Sequence, residues 1–159
     1  MIISELTPHL THDAARESCR CPVTTGSSVT LAFTDGLAAV LEAELVLYGD
    51  GFESRCEMAL EDGRWFVRVT MPEEAAALWY VFRLGLAGGE YWLCAGQGGR
   101  FGQLMSSRGE GFRLTVYERG FETPAWFRRS VMYQIFPDRF ARDWSDTARD
   151  GIEKHRAMG

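Results

Sequence analysis

Residues 55–70 read RCEMALEDGRWFVRVT. Two short apolar-rich runs flank Glu61-Asp62-Gly63, and Asp-Gly between such runs is a strong hairpin signal. The second run, Trp65 to Thr70, alternates with the period of a strand that has one wet face. Working outward, Ser28 to Thr34 (SVTLAFT) alternates and is β-branched, and Leu78 to Leu84 (LWYVFRL), Tyr91 to Cys94 and Phe112 to Glu118 (FRLTVYE) follow suit. Ala39 to Tyr48 reads as a longer strand, although Leu41, Glu42 and Ala43 also suit a helix. Gly88-Gly89, Asp50-Gly51 and Asp35-Gly36 supply further turns. Seven short strands separated every 8–12 residues by turns predict an all-β protein, best fitted by an immunoglobulin-like antiparallel β-sandwich.

The pattern changes twice. Residues 96–111 (GQGGRFGQLMSSRGEG) form a long glycine-rich stretch that cannot be a strand throughout. Loops of this length in compact domains often serve function. The stretch has no Gly-Lys-Ser/Thr ending, which argues against nucleotide binding. Phe121 to Phe127 (FETPAWF) reads as a linker with an aromatic anchor. Val131 to Phe136 (VMYQIF) is a nearly unbroken apolar run, suited to a strand covered on both faces as in a parallel barrel. The expected organisation is therefore a sandwich over 1–121, a linker over 122–130, and over 131–159 the first strand of an incomplete (β/α)8 barrel.

The chain has 159 residues, 46% hydrophobic and 25% charged, as expected for a globular protein. Its net charge of −5, without a Lys/Arg cluster, argues against nucleic acid as a partner. No apolar run reaches the roughly 18 residues that span a bilayer, so no membrane partner is expected. The start, MIISELTPHLTHD, has no basic segment leading into an apolar one, and a cytoplasmic location is expected. Cys19, Cys21, Cys56 and Cys94 form no CxxC pair and read as reduced thiols. His12 and Asp13 point apart on an extended chain with no nucleophile beside them in sequence, so loop bonding is expected of them rather than acid–base work.

The stretch 126–140, WFRRSVMYQIFPDRF, resembles the start of the catalytic barrel in glycoside hydrolase family 13, in its cyclomaltodextrinase, neopullulanase, maltogenic-amylase and α-amylase group. There a tryptophan near a proline leads into a first strand of the form YQIFPDRF, which Tyr133 to Phe140 match at every position. Residues 11–31 (THDAARESCRCPVTTGSSVTL) resemble the opening of the N-terminal module of those enzymes, with His12, Asp13, Arg20, Pro22 and Gly26 in the family's order. Residues 112–126 (FRLTVYERGFETPAW) resemble its end. That module is classed as carbohydrate-binding module family 34.

The resemblance implies an enzyme that cleaves α-1,4 or α-1,6 glucosidic bonds with retention, using two carboxyl groups about 5–5.5 Å apart. In the family these sit on later barrel strands, so no residue of this chain is expected to be catalytic and the chain by itself is expected to be inactive. It implies α-glucan oligosaccharides as partners and a possible homodimer through the sandwich. Two other readings stay open: a stand-alone glucan-binding module, and a dimerisation or structural domain that binds no sugar. Candidate sugar platforms are Trp92, beside the glycine-rich stretch, then Tyr91, Trp79 and Trp65, each with core packing as its alternative. Tyr133, Gln134, Asp138 and Arg139 carry the barrel motif, and Asp138 with Arg139 suits a structural ion pair. Many family members hold calcium just beyond this strand. Asp143 and Asp146, near Ser145 and Asp150, offer oxygen ligands, but Arg142 stands close and the chain contains no Asn. A solvated acidic loop and no required cofactor are the expectation.

Overall fold

The computed structural model of the chain describes residues 3–17 and 22–134. The chain divides into two compact units, Met1–Phe121 and Glu122–Gly159. The first is an all-β sandwich, as the alternation predicts. Its smaller sheet has the order β1 (Leu10–Thr11), β3 (Ser28–Asp35), β7 (Arg64–Thr70) and β6 (Ala59–Glu61). In the larger sheet the long β8 (Ala76–Leu86) is central. One edge of β8 pairs with β4 (Val40–Gly49), which pairs with β5 (Phe52–Glu57). Its other edge pairs first with β11 (Phe112–Tyr117) and then with β9 (Gly89–Ala95). Beyond these lie β2 (Val23–Thr24), parallel to β11, and β10 (Gly102–Met105), antiparallel to β9. A one-turn helix, α1 (Ile3–Leu6), adds buried Leu6 to the core.

Alternation places the core between the sheets. Leu31, Phe33 and Trp65 of the smaller sheet meet Leu45, Tyr80, Phe82, Leu93 and Phe112 of the larger one, all buried. Each such side chain contributes about 1.5–3 kcal/mol by leaving water. The hairpin read at residues 61–64 is present: Glu61 pairs with Arg64, and Asp62 (φ 49°) and Gly63 (φ 76°) both take the left-handed conformation of a two-residue type I′ turn.

Several elements depart from expectation. The single strand predicted over 55–60 is two, because the chain changes sheets at buried Met58, whose N–H bonds to the Ala43 carbonyl at 2.9 Å. The helical alternative at 41–43 loses to β4, which carries a register shift between Val40 and Glu42 and leaves Leu41 exposed. Inside the glycine-rich stretch, β10 forms because buried Leu104 adds to the core while its backbone pairs with β9.

In the second unit the segment predicted as linker contains a short helix, α2 (Ala125–Arg128), begun at Pro124. Of the predicted barrel strand, residues 131–134 are described and form no strand; Val131 is 92% and Tyr133 75% exposed. A doubly covered strand needs neighbours to bond its N–H and C=O groups, and no strand pairs with these residues among those described. The rest of that run, Asp138, Arg139, the calcium candidates Asp143 and Asp146, and Cys19, Arg20 and Cys21 lie outside the described residues. Among the described residues, no helix is long and apolar enough to cross a membrane.

Candidate functional site

Successive residues of β8 point to opposite faces. Tyr80 goes inward, and Trp79 goes to the outer face of the larger sheet. Strand register sets Tyr48 of β4 beside Trp79, and Glu53 of β5 beside Tyr48. The Asp50-Gly51 turn, with Gly51 at φ 73°, closes the β4–β5 hairpin that fixes this row. The Tyr48 and Trp79 rings stack with centroids 6.4 Å apart and planes 25° apart. They form one side of an open pocket of about 690 Å³, completed by Gly49, Asp50, Glu110 and Gly111. Gly111 has no space for a side chain: a Cβ there would lie 2.9 Å from the Trp79 Cβ and collide with the Tyr48 hydroxyl.

Arg108, from the segment joining β10 to β11, lies over this face. Its guanidinium stands 4.2 Å from the Tyr48 ring centroid and 6.0 Å from that of Trp92. Glu53 holds it through a 2.7 Å bond, and Arg55 also bonds Glu53 at 3.1 Å. Arg108, and then Arg55, hold the Glu53 carboxyl below the usual carboxylate range. Beneath them Val46, Val81 and Cys94 make a small buried apolar cluster with Tyr48, Trp92 and Met105 packed on it. The Cys94 sulfur accepts the Gly109 N–H at 3.2 Å, and burial pushes its thiol pKa up, so this cysteine is built in as packing rather than as a nucleophile. Farther along the face, Arg83 bonds Glu44 at 2.9 Å and Glu90 at 2.7 Å.

The four predicted platforms separate. Trp79 lines the pocket. Trp92 is on the same face, half-buried, and carries Arg108 above its ring. Tyr91 faces the other way and packs against the core beside Gly88 and Leu86. Trp65 is no platform and takes its packing alternative: it is 7% exposed, stacked on Phe33 between the sheets, and its indole N–H finds no acceptor among the described residues. Tyr133 and Gln134 are exposed and lie in no strand. Sequence reasoning missed Tyr48, Glu53, Arg108 and Glu110. The Asp50-Gly51 turn was a signal for the first two, because a two-residue loop dictates which residues face each other.

His12 is a core residue. Its Nδ1 lies 2.6 Å from the Ala32 carbonyl oxygen and its Nε2 3.0 Å from the Tyr80 hydroxyl. A carbonyl only accepts, so Nδ1–H donates to it; the neutral ring then accepts from Tyr80 through Nε2. Burial lowers the His12 pKa to about 4. Asp13 instead takes two bonds from Arg100, at 3.0 and 2.9 Å, which hold its pKa near 2. Among the described residues, no group of three or more His, Cys, Asp or Glu side chains is arranged to hold a metal. The outer face offers stacked rings beside carboxylates, a set suited to holding a neutral polyhydroxylated ligand.

No family model matches the chain. It is 31% identical to an amylopullulanase of Thermoanaerobacter thermohydrosulfuricus, over 92% of this chain and 10% of that enzyme. It is 30% identical to an amylopullulanase of Thermoanaerobacterium thermosulfurigenes, over 89% of this chain and 8% of that enzyme. The chain thus spans about a tenth of the length of the curated relatives it matches. Among solved structures, a cycloalternan-degrading enzyme from Trueperella pyogenes aligns over 58% of this chain and 11% of its own, at 16% identity and a TM-score of 0.40. A pullulanase from Paenibacillus barengoltzii aligns over 53% and 14%, at 19% identity and a TM-score of 0.35. Both structural likenesses are loose. The amylopullulanase relatives bear out the family resemblance: the chain corresponds to the N-terminal region of a glycoside hydrolase family 13 type of enzyme.

Proposed function

We propose that this chain is the N-terminal module of an α-glucan-acting glycoside hydrolase, and that its sandwich holds glucan in the Tyr48–Trp79 pocket. The observation that carries the reading is the stacked aromatic pair beside an open pocket with two carboxylate residues, Asp50 and Glu110, in its wall. The face of a glucosyl ring presents C–H groups to an aromatic ring, and its hydroxyls donate to carboxylates. A pocket of a few hundred Å³ with an apolar floor and a few convergent polar groups is the usual form of a small-ligand site. In this reading the site binds, and the bond-breaking carboxylates belong to strands of the parent enzyme that are not in this chain. The relatives named amylopullulanase supply the glucan class.

Affinity electrophoresis of the chain through gels containing soluble starch tests this. The parent protein is expected to be retarded, Trp79→Ala to run as in a starch-free gel, and Trp92→Ala to stay retarded because Trp92 does not line the pocket. Unchanged retardation of a folded Trp79→Ala variant, or none for the parent, defeats the proposal.

A further inference from the structure

We infer that the site continues past Glu110 into a second, polar subsite between Gln97 and Gln103, so that this face takes a malto-oligosaccharide lengthwise rather than one terminal sugar. The inference rests on the glucan reading above and adds the form of the ligand. Glu110 is shared: it lines the Tyr48–Trp79 pocket and also a second open recess formed by residues 95–99, Gln103 and Met105. Its carbonyl accepts the Ala95 N–H at 2.8 Å, which pins Glu110 at the junction of the two. Its side chain is exposed and, among the described residues, makes no hydrogen bond; the same is true of Gln97 and Gln103. Three polar side chains without partners therefore gather around one recess. They bring a carboxylate acceptor and two amides that both donate and accept, the chemistry that pairs with vicinal hydroxyls.

The recess is open for a backbone reason. Gly98 and Gly99 adopt φ of 81° and 71°, conformations that L side chains rarely take, and no atom lies within 4 Å of where a Cβ would be. Half-buried Met105 offers an adaptable apolar floor. Trp79 on β8 and Gln103 on β10 are two strand spacings apart across β9, roughly 10 Å at about 4.8 Å per step. That span exceeds one sugar ring, so a single glucosyl residue stacked on Trp79 leaves the amides unused, whereas a linked chain reaches them.

Calorimetric titration of the chain with maltose and with maltohexaose tests the inference. The parent is expected to bind maltohexaose about tenfold more tightly than maltose, the effect of two net hydrogen bonds. The double variant Gln97→Ala/Gln103→Ala, on the surface and expected to fold, should lose that advantage and keep its maltose affinity. Equal affinities for both sugars in the parent, with binding still abolished by Trp79→Ala, overturn the second subsite and leave the platform standing. A double variant that keeps the length preference overturns it as well. Sugar binding untouched by Trp79→Ala removes the glucan site itself.

Discussion

Trp79 and Tyr80 are neighbours on one strand and belong to different worlds. Tyr80 is 1% exposed, its ring 5.1 Å from Phe112 and 5.7 Å from Phe82, its hydroxyl given to His12. Trp79 stacks on one ring at the surface and borders an open pocket. The inner ring is held by aromatics of two strands and a buried histidine. The outer one is held by a tyrosine of the neighbouring β4 and a glycine segment. A strand with period two thus builds stability and recognition at once, and substitutions should separate the two: inward changes cost folding, outward changes cost binding.

The largest effect is expected inside. Phe82 contacts the His12, Phe33, Tyr80 and Phe112 rings and is fully buried. Phe82→Ala leaves a cavity in the middle of that cluster and should lower the urea-unfolding free energy by about 3–5 kcal/mol. A loss below about 1 kcal/mol would mean the core collapses around the gap, and the inner face would no longer differ from the outer.

Next comes acid. His12 has a folded pKa near 4 against 6.5 for a free histidine. Between those values the unfolded chain binds more protons than the folded one, so stability rises with pH across this window. The contribution is complete above about pH 6.5, fades as pH falls toward 4, and changes no further below that. The gap corresponds to a loss on the order of 3 kcal/mol. Asp13, with its folded pKa near 2 against 3.8 for a free aspartate, loses its contribution only at lower pH. Urea titrations at pH 7 and 4.5 should show the drop in the parent chain and a flatter response in His12→Gln. Equal drops in both would assign the acid sensitivity elsewhere.

A smaller inner-side effect is expected at Asp35, buried at the end of β3. Its carboxylate accepts the Val40 N–H at 2.9 Å, Ala39 at 3.2 Å and Leu37 at 3.3 Å, folding the turn that launches β4. Asp35→Ala strands these donors and should cost about 2 kcal/mol, with Asp35→Asn recovering part. Equal losses for both variants would show that charge, not the acceptor oxygens, holds the turn.

Much of the sandwich was legible because its strands repeat their pattern locally. Trp65 to Thr70 and Ser28 to Thr34 announce themselves by alternation, and Asp62-Gly63 by the backbone its turn demands. Alternation also says that Trp79 and Tyr80 part company. It does not say which goes inward, since that depends on where the other sheet lies; platform and packing stay open at Trp65 in the sequence for the same reason. Two-residue strands such as Leu10–Thr11 and Val23–Thr24 are too short to show a period at all. Arg108 and Glu110 were invisible for a different reason: nothing local in a glycine-rich stretch tells that it will fold over Tyr48, 60 residues earlier on another strand.

The smallest effect on folding is expected at Arg108, and it probes the outer face directly. The Arg108–Glu53 pair is partly exposed, and such pairs add little to stability, so Arg108→Ala should barely move the unfolding midpoint. Its local consequence is larger. The guanidinium lies over both Tyr48 and Trp92, so its removal uncovers ring faces and should raise acrylamide quenching of tryptophan fluorescence in the folded state. Arg108→Lys keeps the charge for Glu53 but not the planar cover, and should fall between the two. If quenching does not rise, Trp92 is shielded by Met105 and Val81 instead. Trp92 would then differ from Trp79 by its packing rather than by the cation above it.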